Sequence, residues 1–314
     1  MFEKPDRRIY SAKPFWAWNG NLNKDELIRQ VHIMKDMGFG GFFMHSRTGL
    51  ETEYLGDEWF DLINACADEA EKLDMEAWLY DEDRWPSGSC GGMATVEEEY
   101  RMKYIRMNIV LKSMFEWSDD IISAFAADIE GINFSNCIQI SKHTDVESLM
   151  CGKVIYFTVE NMLPSATYNN YTYLDTLSKE ATEHFISLTH EKYKEHCGDR
   201  LGKSIKGIFT DEPHRGALMS GFSVPNRDAS NLCPYTPKLF DEFQKAFGYR
   251  PVSYTHLDVY KRQALYSIIC LPHYSTWQEL AEAKVLRHRL ERQGTSCLSY
   301  NVNFNVLSGL SLTA

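Results

Sequence analysis

The chain has 314 residues, 44% of them hydrophobic and 25% charged, enough for a sizeable core in one large domain or two ordinary ones. A formal charge of −11 at pH 7 argues against a nucleic-acid partner, since tracking phosphates needs a basic face that displaces counterions. No stretch is long and apolar enough for a signal peptide or a membrane span, so a soluble, cytoplasmic protein without a membrane partner is expected. The eight cysteines form no C-x-x-C pair and have no histidine at zinc-finger spacing, which predicts reduced, mostly buried thiols.

KPFWAWNG (residues 13–20) reads as a short strand ending in a turn. NKDELIRQVHIMKDMG follows as a helix, with Asn23 and Glu26 spaced as a capping box and Leu27, Val31 and Met34 as the buried stripe. GFGGFFMHSR (38–47) is a near-continuous apolar run of strand length. A loop then leads to the helix EWFDLINACADEAEKL, with Asp57 as its candidate cap. MEAWLYDEDRWPSG (75–88) is a third strand that ends in a burst of charge. Strands buried on both faces and joined by amphipathic helices predict parallel βαβ units, which an α/β barrel and an open doubly wound sheet satisfy equally.

The rhythm breaks after Gly92. From about residue 100 to 163, alternation of the kind seen in YIRMNIVL and KVIYFTVEN predicts a small β-rich insertion. LSKEATEHFISLTHEKYKEHCG then reads as one helix, capped by Ser178 and stopped by Gly198, leading into a fourth strand, SIKGIFT. After Pro213 a long loop is expected, then a helix over 236–249 with Pro237 in its first turn. VSYTHLDVYKRQ (252–263) closely resembles a translated sequencing-adaptor fragment that recurs in genes from metagenome assemblies, and no charged residue occurs from Gln293 to Ala314. The natural reading is therefore expected to stop near Pro251.

Chemistry in parallel α/β folds gathers at the carboxyl ends of the strands. Here those ends carry Trp16, Trp18 and Asn19, then His45, Ser46 and Arg47, then the run from Asp81 to Trp85, and finally GIFTDEPHRG with Asp211, Glu212, His214 and Arg215. Paired carboxylates supply the acid, base or nucleophile of glycosidic cleavage, and flat aromatic faces hold a sugar ring. Asp211 and Glu212 are thus the candidate catalytic pair, and Trp18, His45, Arg47, Asp81, Asp83 and His214 are candidate substrate-binding residues. Trp16 and Trp18 share one face at period two, so at least one of them is expected in the packed core. The run from Asp81 to Arg84 is also compatible with a solvated, internally paired turn. SGSCGG (87–92) lacks the lysine and spacing of a phosphate loop and is expected to be a flexible turn.

PFWAWNG, GFGGFFMHSRTGLETEYLGDEW, YDEDRWPSG, YLDTLSKEATEHFISLTHEKY and GIFTDEPH together resemble the N-terminal part of bacterial glycoside hydrolases similar to family 106, the α-L-rhamnosidase-like (β/α)8 barrel enzymes. The resemblance spans about residues 4–249. It implies a partial TIM-type barrel holding strands 1 to 4, a β-rich insertion between strands 3 and 4, and a glycoside or oligosaccharide substrate. The corresponding domain reading is barrel over 1–95, insertion over 96–165, barrel again over 166–251, and an unassigned tail over 252–314. The resemblance also implies a catalytic acid in T-D-E-P on the fourth strand, which favours Glu212. Strand parity sets Asp211 on the opposite face unless the strand end is bulged, so Asp211 ranks second, as an orienting or sugar-binding group. Calcium dependence is implied as well, without a ligand that can be carried onto a named residue. Such enzymes are much longer, so the chain is expected to be a fragment that is inactive by itself. Two other readings compete: a metal-dependent hydrolase, against which the lack of H-x-H or H-E-x-x-H counts, and a carbohydrate-binding protein without catalysis.

Overall fold

The computed structural model describes residues 10–130, 133–213 and 232–248, with backbone alone at 133 and 134. His214 and the predicted seam near Pro251 lie outside them. The chain through Leu239 forms one compact unit. Helix α5 (Leu239–Phe247) begins a second, within which the Phe243 and Phe247 rings lie 4.5 Å apart. Among the described residues no helix is long and apolar enough to cross a membrane.

The first sheet is parallel and contains β1 (Phe15–Gly20), β2 (Gly41–Leu50), β3 (Glu76–Tyr80) and β8 (Ile205–Phe209), in that spatial order. Helices α1 (Lys24–Asp36) and α2 (Asp57–Lys72) make the first two crossovers, as the alternating pattern predicts. Asn23 caps α1 as expected, its side-chain oxygen accepting the Glu26 N–H at 3.0 Å. Leu27, Val31 and Met34 form its buried stripe. The cap of α2 differs from expectation. Gly56 holds the cap position without a side-chain bond, and Asp57 is the first helical residue, where its charge faces the positive end of the helix dipole.

The helix expected after Ser178 is two helices, α3 (Lys179–Leu188) and α4 (His190–Cys197). Ser178 caps α3 through the Ala181 N–H, and Gly198 ends α4. The break is at Thr189, whose hydroxyl donates back to the Phe185 carbonyl at 2.8 Å; such back-bonding bends helices and helical periodicity does not register it.

One face of the parallel sheet is packed against these helices. Trp18, Phe42, Met44, Ala77, Leu79 and Ile205 join Val31, Trp59, Ile63 and Ala67 in the main core. Between β3 and β8 the register slips: Ala77 pairs with Ile205 and Leu79 with Ile208, so β8 carries an extra residue. Gly207 lies in this bulge, where a Cβ would meet the Trp78 ring at 2.8 Å. The bulge keeps Ile205 and Ile208 on the helix-covered face and turns Phe209 to the other.

The second sheet is antiparallel, in the order β6 (Asn133–Ile140), β5 (Ile121–Glu130), β7 (Lys153–Asn161), β4 (Lys103–Leu111), β9 (Leu232–Tyr235). Four of these strands lie within the β-rich segment expected over about residues 100–163, two of them at YIRMNIVL and KVIYFTVEN. The fifth, β9, comes from beyond the fourth parallel strand and pairs with β4. Four residues including Pro234 are too few to register as alternation, and a proline is tolerated at a sheet edge.

Two substitutions test this packing. Ile63→Ala in α2, at a fully buried position, should cost about 2–5 kcal/mol by leaving a cavity, read from the urea midpoint. Gly41→Ala should cost about 1–3 kcal/mol, because a Cβ there would lie 2.2 Å from the Glu76 carbonyl oxygen and force β2 away from β3. An unshifted midpoint in either variant would contradict the packing described.

Candidate functional site

The other face of the parallel sheet is aromatic. Phe15, Phe43, Trp78, Tyr80 and Phe209 project from it, with Phe15 5.3 Å from Phe43, 5.6 Å from Tyr80 and 5.2 Å from Phe209 between ring centroids. Phe15 is 57% exposed, so this face is open at β1. Farther along the same face, towards the carboxyl ends of the strands, alternation brings up His45 after Phe43, Glu82 after Tyr80, and Asp211 after Phe209.

These side chains touch in sequence. His45 Nε2 lies 2.8 Å from Glu82 Oε1, and its ring stacks on Tyr80 at 3.6 Å with an interplanar angle of 8°. The Tyr80 hydroxyl donates to Asp211 Oδ2 at 2.5 Å. Burial, then Arg47, holds the His45 imidazolium down to about 4. Burial, then the neighbouring charges of Asp211 and Asp81, pushes Glu82 up to about 8. The short contact resembles an ion pair, but burial of both partners favours the neutral forms, with one proton held between them. Burial and the bond to Asp211 also push the Tyr80 hydroxyl upward.

Glu212 leaves the strand differently. Its φ of +44° is in the left-handed region, its side chain is exposed, and its Oε2 accepts the Trp85 indole N–H at 3.2 Å. The bulged strand therefore brings Asp211, the residue ranked second, onto the face of Tyr80 and Glu82, while Glu212 lies at the outer rim.

The remaining sequence candidates separate by environment. Trp18 is 1% exposed, wedged edge-on between Trp16 and Trp59 at 5.2 and 5.1 Å, so it is core on the helix side and offers no surface to a ligand. Asp81 is also on that side and fully buried: Oδ1 accepts the Ser87 hydroxyl at 2.5 Å and Oδ2 the Thr210 hydroxyl at 2.7 Å. Its carboxyl ties strand ends together and is not free for substrate; burial pushes it upward against those two bonds. Asp83 accepts from the Ser46 hydroxyl and from Asn169 Nδ2, which links the loop to the segment after the antiparallel sheet. Arg47 is exposed beside His45. SGSCGG is a packed loop rather than a flexible turn: Ser87, Ser89 and Cys90 are buried, and the Ser87 carbonyl accepts the Tyr173 hydroxyl at 2.5 Å.

Glu82 and Tyr80 escape the candidate list read from the sequence, although Glu82 was among the strand-end residues. Period-two parity from Trp78 onward would have singled both out. Among the described residues no three His, Cys, Asp or Glu side chains converge as a metal site, so no residue is assigned to calcium.

The His45–Glu82 pair predicts a pH signature. Between pH 4.5 and 8 the folded chain keeps a Glu82 proton that the unfolded chain has lost, so this stabilisation is full at low pH and is lost as pH rises to about 8. His45 opposes it: between about 4 and 6.5 the unfolded chain is the more protonated, so stability rises with pH there. The two offset each other up to 6.5, and the net loss falls between 6.5 and 8. Glu82→Gln fixes the neutral form, so its urea midpoint relative to wild type should climb from pH 4.5 to 8. A pH-independent difference would show that Glu82 ionises alike in both states.

No protein-family profile matches the chain, and no curated protein sequence matches it. Among solved structures it is similar to the rhamnosidase from Novosphingobium sp. PP1Y, at 10% identity and a TM-score of 0.44, over 79% of this chain and 41% of that one.

Proposed function

We propose that the chain is the N-terminal part of a glycoside hydrolase, α-L-rhamnosidase-like in its motifs, whose four parallel strands form the first half of a (β/α)8 barrel. The observation that carries this reading is the placement of Glu82 and Asp211 on one face just past the ends of two adjacent parallel strands, beside an aromatic surface and with Glu212 at its rim. Carboxyl groups beside flat aromatic rings suit proton transfer to a glycosidic oxygen and the holding of a sugar.

In this reading Glu212 exchanges the proton. It is exposed, oriented by Trp85, and held at a strained backbone angle of the kind that persists where function requires it. Asp211, steadied by Tyr80, binds a sugar hydroxyl or the attacking water. Arg47 and Asp83 contribute at the rim, His214 is a substrate-binding candidate from its sequence position alone, and calcium enters as an expectation of the motif resemblance alone. Barrel closure would cover the aromatic face and remove the sheet edges at β1 and β8.

Two outcomes follow. In the full-length enzyme, Glu212→Gln should lower kcat on aryl glycosides by about two to four orders of magnitude while leaving KM and the melting temperature near wild type. Wild-type turnover in that variant would remove Glu212 from its role. The 314-residue chain expressed alone should show no turnover and elute from size exclusion above monomer size, because exposed edges and an open aromatic face favour self-association. A monodisperse monomer that melts cooperatively would show that the chain completes its own fold.

A further inference from the structure

Glu82 has no part in the proton exchange assigned to Glu212, yet its setting is unusual for a carboxylate. It is 1% exposed; one oxygen meets His45 Nε2, and among the described residues the other meets no hydrogen-bond donor. Buried carboxylates are ordinarily stabilised by donors on both oxygens or by a paired cation. The titratable and charged groups facing Glu82 are His45 and Arg47 from β2, Tyr80 and Asp81 from its own segment, and Asp211 from the end of β8. Of these only Arg47 is a fixed cation; it lies exposed, with no ion pair to either acid among the described residues. Contacts run without a gap from Glu82 to His45, from His45 to Tyr80 by stacking, and from Tyr80 to Asp211 by a 2.5 Å hydrogen bond.

We propose that Glu82 and Asp211 act as one dyad carrying a single negative charge, with Glu82 the neutral positioning acid held in place by His45 and Asp211 the charged member presented to the sugar. Two carboxyl groups at neighbouring strand ends on one face cannot both ionise cheaply, and the surroundings decide which one keeps the proton. Asp211 has the Tyr80 hydroxyl as donor. Glu82 has the contact to His45 and the nearby Ser87 hydroxyl, which is committed to Asp81, and burial makes its charged form the costlier one. The negative charge is thereby localised next to the aromatic face, where a sugar hydroxyl or a water would be bound. The catalytic consequence rests on the glycoside hydrolase reading; the charge arrangement does not.

The test is carboxyl 13C NMR of the full chain labelled at the glutamate carboxyl carbon, with the Glu82 resonance assigned by its loss in Glu82→Gln. Its midpoint should lie near 8 and fall in Asp211→Asn, which removes the neighbouring charge. Tyr80→Phe, which leaves the Asp211 charge without its donor, is a second variant should Asp211→Asn fail to fold, and it should move the midpoint upward. A midpoint in the ordinary glutamate range, or one that neither variant moves, would overturn the dyad. In the full-length enzyme, Glu82→Gln should remove the alkaline limb of kcat/KM near pH 8 on an aryl glycoside, whereas Glu82→Ala should lower kcat/KM at least about tenfold. Loss of turnover in Glu82→Gln as severe as in a proton-transferring residue would also overturn the proposal. If no glycoside is turned over while the NMR midpoints behave as stated, the functional reading falls and the dyad stands.

Discussion

The fold depends on the hydroxyl of Ser87. It donates to Asp81 at the end of β3 and accepts the backbone N–H of Asp211 just past β8, while the Ser87 N–H bonds the Asp211 carbonyl at 2.9 Å. Thr210 adds its own hydroxyl to the same Asp81 carboxyl. Four strands of the antiparallel sheet and two helices separate β3 from β8 in the chain, so closing them onto each other carries a large loop entropy. Hydrogen bonds to a buried charged group are worth about 1.5–3 kcal/mol each, and here two of them converge where the two strand ends must meet.

That clamp lies on the helix side of the sheet, and its effect is felt on the other. Because the ends of β3 and β8 are locked at Asp81 and Thr210, the next residue on each segment, Glu82 and Asp211, emerges on the aromatic face. The bulge at Gly207 sets the parity: without the extra residue, Ile208 would lose its place in the core and Phe209 its place beside Tyr80. One face of the sheet is thus an ordinary core, and the other is a row of aromatic rings ending in ionisable groups. Their division also explains why two acids one residue apart, Asp81 and Glu82, do different things. Asp81 is satisfied by hydroxyl donors and serves as a tie, whereas Glu82 has a single partner and is driven towards its neutral form.

The segment after the antiparallel sheet supports the loop that carries these acids. Asn169 reaches Asp83 and the Gly91 carbonyl, and Tyr173 reaches the Ser87 carbonyl. The segment from Asn169 to Tyr173 is therefore connected to the strand-end loop by hydrogen bonds, and a shift in either would be felt by the other. Arg106 and Glu160, paired across β4 and β7 at 2.7 Å, belong to the insertion's own sheet and do not take part.

By itself the sequence determined the local structure. The apolar runs through His45 and Tyr80 are strands because both of their faces carry apolar side chains, and the caps at Asn23 and Ser178 start helices because their side chains satisfy the first free N–H groups. It also placed acids, aromatics and His45 at the strand ends, since that clustering is visible as composition. Only the tertiary structure decided which of them share a surface. Trp18 and Asp81 read as site residues but face the helices; Glu82, one of several strand-end residues, and Tyr80, which was not among them, lie on the face of Asp211; the short strand β9 depends on a partner far along the chain. Facing is set by one extra residue in β8 and by hydrogen bonds spanning more than a hundred positions, and neither leaves a periodic trace in the residues that it governs.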